Sequence, residues 1–192
     1  MEAFFELNAF FILFYLITVL WIGEFIIFPS SFDADDYREK RSFFRILGGV
    51  IASILFTITL TFFGVFTLEG TGADILRVTG IIFYIIGILL RYSGSIYLGP
   101  YFTRNVSVGR TQELVSTGPY RMLRHPLYLG LFLLTVGVPL FFSNLFAIAV
   151  AFLIGIPLNI RMKNEEKAME NVLGDTYRTW KKTRYRFIPY IY

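Results

Sequence analysis

The sequence predicts an all-α, polytopic membrane helix bundle of about five transmembrane helices that closes in a C-terminal helical hairpin. Three observations predict it. The chain is 55% apolar and only 17% charged, which departs from a soluble composition in both respects. Residues 46–68 and 126–160 contain no charged residue, and one helical crossing of a bilayer takes roughly 20 apolar residues. Lysine and arginine gather in alternate connectors, the pattern that sets membrane orientation.

The first span is expected over residues 3–28, ending at Pro29-Ser30-Ser31. It starts with Met1-Glu2-Ala3 and Glu6, without a basic leader or a small-residue cleavage site, and so reads as a retained span. A charged connector, 33–45, precedes a second span over 43–68. A polar stretch with two glycines, 69–74, precedes a third over 75–98. Gly99-Pro100 ends that span, because proline disfavours helix in the residue before it. After a polar stretch, 103–124, the apolar run 126–160 is too long for one simple span. Ser143-Asn144 near its middle divides it into a hairpin of 127–142 and 144–160. A polar helix over 161–173 follows, with Gly174 as its C-cap. The expected organisation is one membrane domain, 1–192, with two N-terminal spans in 1–74 and a cofactor-binding core in 75–192.

Arg38, Lys40, Arg41 and Arg45 lie in the first connector, and Arg104, Arg110, Arg121 and Arg124 precede the hairpin. Eight more basic residues lie between Arg161 and Arg186, whereas Arg77 alone lies in the opposite connector. Five spans with the N-terminus outside place all three basic groups in the cytoplasm. The net charge of +4 therefore reads as topology and contact with anionic membrane lipids, with no nucleic-acid partner.

On the third span Gly80, Tyr84, Gly87, Arg91 and Gly94 recur at three- and four-residue steps and share one face. Small residues in that arrangement let helix backbones approach closely. Arg91, taken as the single charge within the spans, points into protein or a polar cavity, or else snorkels to the headgroups. Cysteine is absent and histidine occurs once, as His125. Thiolate chemistry and a multi-histidine metal site within one chain are excluded, and no metal is expected.

Polar groups cluster on both sides of the hairpin. Before it stand Leu114, Val115, Gly118-Pro119-Tyr120-Arg121 and Arg124-His125-Pro126-Leu127-Tyr128-Leu129-Gly130. After it stand Arg161, Glu165 and Glu166, then Gly174 and Tyr177. The hairpin brings the two clusters to one membrane face. Pro126 suits the first turn of a helix, so His125 sits at a helix N-terminus that favours a carboxylate. Tyr128 is placed to point back to the same spot. Arg161 and Glu165 share a helix face, and the acidic pair suits ribose hydroxyls or an amino group.

These motifs resemble the isoprenylcysteine carboxyl methyltransferases and the related phospholipid methyltransferases. The resemblance covers about residues 80–189 and includes Leu98-Gly99 with Tyr101-Phe102 as an entry to the site. It implies an S-adenosylmethionine pocket at the cytoplasmic face. His125 and Tyr128 would bind the methionine carboxylate, and Leu114 and Val115 would lie along the adenine. Glu165 and Glu166 would lie at the cofactor, and Gly118 and Tyr120 would complete its site. Arg161 is implied at the reacting end, with Glu165 as its catalytic partner. Arg161 and Arg91 are the substrate-binding candidates for a lipophilic acceptor, most plainly one methylated on a carboxyl oxygen. Phospholipid N-methylation, a sterol-reductase-like NADPH enzyme and a non-enzymatic membrane module are the competing readings.

Overall fold

A computed structural model describes residues 9–28, 37–99 and 114–190. Tyr101, Phe102, Arg104 and Arg110, named above, lie outside the described residues. The helices are α1 (Ala9–Ile27), α2 (Tyr37–Phe62), α3 (Thr71–Leu98), α4 (Pro126–Phe141), α5 (Leu145–Phe152), α6 (Gly155–Leu173) and α7 (Asp175–Lys182), with a short 3-10 turn at Gly118–Arg121. Among the described residues, four stretches are long and apolar enough to cross a membrane: Phe10–Ile27, Arg41–Phe62, Thr71–Leu98 and Leu145–Leu173. The fifth apolar helix, α4, is shorter. The chain is a multi-pass, all-helical membrane protein.

Several boundaries differ from the sequence reading: α2 ends at Phe62 and not at 68, and α3 begins at Thr71, inside the polar stretch, and not at 75. The second helix begins at Tyr37, inside the charged connector, because Arg, Glu and Lys are good helix formers. The last span does not end where polarity begins. One apolar-to-polar stretch, Leu145–Leu173, crosses Arg161 without interruption. Its only irregularity is the turn at Leu153 and Ile154, well inside the apolar run. A change of polarity marks where a helix leaves the bilayer, and the backbone hydrogen bonds continue past it. Gly174 does end α6, with a φ of 54° and its N–H donating to Glu170 O.

The core of the bundle is the pair α3 and α4, joined along a seam of glycines. A Cβ on Gly80 would stand 2.8 Å from the Gly137 carbonyl oxygen. One on Gly87 would stand 2.9 Å from the Gly130 carbonyl oxygen. The predicted stripe is therefore the packing face of α3, and α4 answers it with two glycines of its own. Backbones this close gain dispersion contacts that lipid tails cannot replace. Between the glycines, Tyr84 packs over Gly137 and Arg91 over Gly130. Helix α1 covers the seam with aromatic rings. Phe14 stacks on Phe141 at 4.2 Å between centroids and lies 4.9 Å from Tyr84.

The hairpin turn is fixed at the end of the bundle remote from the polar clusters. Ser143 adopts a φ of 55°, and its hydroxyl donates to Ala73 O at 3.0 Å. Asn144 accepts from Ala147 N–H and donates to Val65 O. Both residues are fully buried, so their side chains satisfy carbonyls that lipid would leave unpaired.

Candidate functional site

At the opposite end, the turn at Gly118–Arg121 brings the chain down onto α3. Gly118 has a φ of 56°, and a Cβ there would lie 2.4 Å from the Tyr97 ring. No other residue fits. The turn buries Tyr120, whose hydroxyl lies in the packing around Gly94. Burial, then the nearby Glu165 and Tyr128, push the Tyr120 phenol well above its ordinary value. It stays protonated and remains a hydrogen-bond donor at neutral pH.

Pro126 opens α4 at N1 and makes His125 the N-cap. The imidazole is 5% exposed. Helix α6 lies alongside and presents Arg161, Glu165 and Glu166. Arg161 Nε donates to the Tyr128 hydroxyl at 2.9 Å, and that hydroxyl donates to Glu165 Oε2 at 2.8 Å. A guanidinium, a phenol and a carboxylate thus form one chain across the α4–α6 interface. The second carboxylate turns the other way. Glu166 Oε1 accepts from Arg124 Nη1 at 2.7 Å and lies 3.2 Å from His125 Nε2.

These groups open onto one cavity of about 390 Å³, within the roughly 300–1,000 Å³ of small-molecule sites. Leu114, Val115, Tyr120, His125, Tyr128, Arg161, Glu165 and Arg91 all line it. Sequence-distant residues named from motif and spacing are brought together. Gly118 and Glu166 do not line the cavity. Gly118 shapes the turn, and Glu166 stands behind the wall, holding His125 and Arg124.

Sequence reasoning missed three parts of this site. Trp180 also lines the cavity, and its indole N–H donates to Ser116 Oγ at 2.9 Å, tying α7 to the loop before the turn; Arg124, already named in the motif before the hairpin, lines the cavity too. The cavity also continues away from the polar cluster into an apolar arm between α1 and α2. Trp21, Phe25, Ile46, Leu47, Val50 and Ile54 line that arm, so spans with no distinctive motif supply ten of the 25 lining residues. Finally, Arg91 is not the single charge within the spans. Glu24 on α1 is fully buried and pairs with it. A carboxylate in an otherwise apolar run was the available signal, and it calls for a partner on a neighbouring helix.

The donor set fits a zwitterionic amino-acid group attached to a flat apolar ring system. Tyr128 and Arg161 offer O–H and N–H groups, His125 offers a ring nitrogen, Glu165 offers an acceptor, and Leu114 and Val115 offer apolar surface. The apolar arm fits a hydrocarbon chain.

Comparison with known proteins points the same way. A model of the isoprenylcysteine carboxyl methyltransferase (ICMT) family matches residues 80–171. The chain is 25% identical over 166 residues to the human protein-S-isoprenylcysteine O-methyltransferase, a match covering 85% of this chain and 57% of that protein. It is 31% identical over 101 residues to protein-S-isoprenylcysteine O-methyltransferase B of Arabidopsis thaliana, covering 51% of each. The chain thus spans a little over half the length of these relatives. The structure of a eukaryotic intramembrane Ras methyltransferase, ICMT, superposes with a TM-score of 0.66 at 18% identity, covering 97% of this chain and 70% of that one. At that identity the likeness concerns the fold.

Proposed function

Because residues 80–171 match a model of the isoprenylcysteine carboxyl methyltransferase family, we propose that the chain is an integral membrane methyltransferase acting on a lipophilic acceptor, with S-adenosylmethionine as donor. The observation that carries this reading is the single cavity that joins a polar cluster to an apolar arm. Two dissimilar ligands meet there: a charged one at the polar end and a greasy one along α1 and α2. We place the polar end, with the C-terminus, in the cytoplasm and the N-terminus outside, following the basic connectors.

His125 and Tyr128 would hold the donor's amino-acid end, with Glu165 beside them and Leu114 and Val115 along its ring. The bound sulfonium supplies the electrophile, so the protein needs no metal and little acid–base machinery. What remains for the chain is alignment and exclusion of water. The cavity walls perform the second task. Arg161 performs the first, held by the Tyr128 hydroxyl at 2.9 Å in a place where it can orient an anionic acceptor. Arg91, Arg124 and Arg161 all line the cavity, with Arg91 paired to Glu24 and Arg124 to Glu166. An acceptor that arrives as a carboxylate needs no base, and a guanidinium such as that of Arg161 suits it. An amine acceptor must first lose a proton.

The test is incubation of the full chain in detergent with labelled S-adenosylmethionine, offered in parallel a prenylated cysteine carboxylate and phosphatidylethanolamine. A base-labile methyl ester on the first is the expected product. Label on the amine would replace the acceptor assignment with N-methylation. Calorimetric binding of NADPH, with none of S-adenosylmethionine, would favour a reductase. Binding of neither would leave a non-enzymatic module.

A further inference from the structure

The segment that follows α7 is bound back onto the site. Tyr185 pairs in parallel with Leu123. Its N–H donates to Met122 O at 2.9 Å, and its carbonyl accepts from Arg124 N–H at 2.8 Å. Phe187 is buried in the cluster that holds Leu123, Leu129 and Met162. Between them Arg186, 6% exposed, turns inward. Its Nη1 donates to Asn159 Oδ1 at 3.2 Å, and its Nε lies 3.2 Å from Glu166 Oε1.

That carboxylate oxygen is the one that meets His125 Nε2 at 3.2 Å and Arg124 Nη1 at 2.7 Å. An ionised carboxylate only accepts hydrogen bonds, so the contact with His125 requires the proton on Nε2. The other ring nitrogen, Nδ1, is then left as an acceptor, 3.9 Å from the cavity-lining Glu165 Oε2, and in the neutral ring it suits the ammonium of an amino-acid group and not its carboxylate. The partner of one imidazole nitrogen decides what the other presents. Glu166 keeps its position because guanidiniums from two separate segments share its oxygen. Arg186 lies beyond the residues matched by the family model.

We infer that Arg186 is a positioning residue: acting through Glu166, it sets the tautomer and orientation of His125 and thereby the site's affinity for the methyl donor. The affinity part rests on the proposal that His125 contacts that donor; the tautomer part does not.

His125 is the only histidine in the chain, so the imidazole nitrogen-15 spectrum of the full protein in detergent reports one ring. In the ligand-free wild type the neutral ring should carry its proton on Nε2. Arg186→Gln should give mixed tautomers and about tenfold weaker binding of S-adenosylmethionine by calorimetry, the scale of one charge-assisted hydrogen bond. Arg186→Lys, which keeps the charge, should hold the Nε2 tautomer and most of the affinity. Glu166→Gln, whose amide both donates and accepts, should mix the tautomers by itself, and adding Arg186→Gln should change the spectrum no further. A wild-type ring spectrum in Arg186→Gln overturns the inference, whatever happens to affinity. So does an additional change in the double variant. A wild type that fails to bind S-adenosylmethionine, with the tautomer responses intact, sinks the proposed function and supports the Arg186–Glu166–His125 relation.

Discussion

Glu24 and Arg91 form a two-pronged ion pair between α1 and α3, in which Arg91 Nε and Nη2 each donate to a different carboxylate oxygen. Glu24 is 0% exposed and Arg91 is 8% exposed, and a third donor, Arg91 Nη1, faces Leu127 O at 3.4 Å. The pair fixes α1 to α3 and lets Arg91 face the cavity without an unbalanced charge. Glu24→Ala is expected to destabilise the protein by about 3–5 kcal/mol, because it strands a buried guanidinium. The double variant Glu24→Ala/Arg91→Met should recover much of that loss. Thermal unfolding in detergent measures both, and equal midpoints for the single and double variants would contradict the pairing.

The glycine seam predicts a contrast between two similar substitutions. Gly87→Ala puts a methyl 2.9 Å from the Gly130 carbonyl oxygen and 2.8 Å from Leu134, an overpacking that costs about 1–3 kcal/mol. Gly48→Ala on α2 meets nothing within 4 Å and should stabilise by up to about 1 kcal/mol through helix propensity. The same unfolding measurement, applied to both, separates them by sign.

His125→Ala and Tyr128→Phe should each weaken S-adenosylmethionine binding by about 1.5–3 kcal/mol, the worth of a hydrogen bond to a charged group. Tyr128→Phe should also slow turnover, because the chain from Arg161 to Glu165 passes through its hydroxyl. Calorimetry with the wild-type helical circular-dichroism signal as a control tests the claim. Unchanged affinity in both variants would reduce these residues to interfacial anchors.

Arg161→Ala should lower methyl transfer at saturating donor more than it lowers donor affinity. Glu165→Ala should do the reverse, since it lies one turn further along α6 at the donor's end of the cavity. The comparison needs turnover and affinity from the same preparations. A parallel loss of affinity in both would move Arg161 into the donor pocket.

The apolar arm predicts a chain-length effect. Val50 is 3% exposed and lines the arm, so Val50→Trp should shorten it. Turnover of the longest prenyl acceptor should fall first and that of a short one last, with donor affinity unchanged. A loss independent of chain length would place the acceptor elsewhere.

The sequence made the α3 face legible because small residues recur there at a helical step that lipid-facing positions have no reason to keep. The polar half of the site was legible for a similar reason: Arg124-His125-Pro126 and Arg161 with Glu165 flank an apolar hairpin whose closure determines where they meet. The apolar arm was not legible. Ile46, Val50 and Ile54 face a cavity while Phe44 and Leu55 are largely exposed on the same helix, and hydrocarbon requires the same residue types in both places. Arg186 was hidden for a different reason. Among the basic residues of the C-terminal segment it follows no spacing rule, and only the pairing of Tyr185 with Leu123 turns it inward.

Helix α4 has 16 residues, a rise of about 24 Å at 1.5 Å per residue, against a hydrocarbon thickness of roughly 30 Å. The α5–α6 stretch beside it has 29 residues, but its uncharged part, 145–160, has only 16. Both limbs of the hairpin are therefore short for the bilayer, and a short hydrophobic stretch is met by local thinning of the membrane. Thinning brings the headgroup level toward the start of α4, where His125 is the N-cap. An amphiphile anchored in the leaflet can then bring its polar end to the site without rising out of the membrane. Bilayer thickness becomes a lever on the proposed activity: in vesicles of longer acyl chain, the same acceptor must travel further to reach the same site.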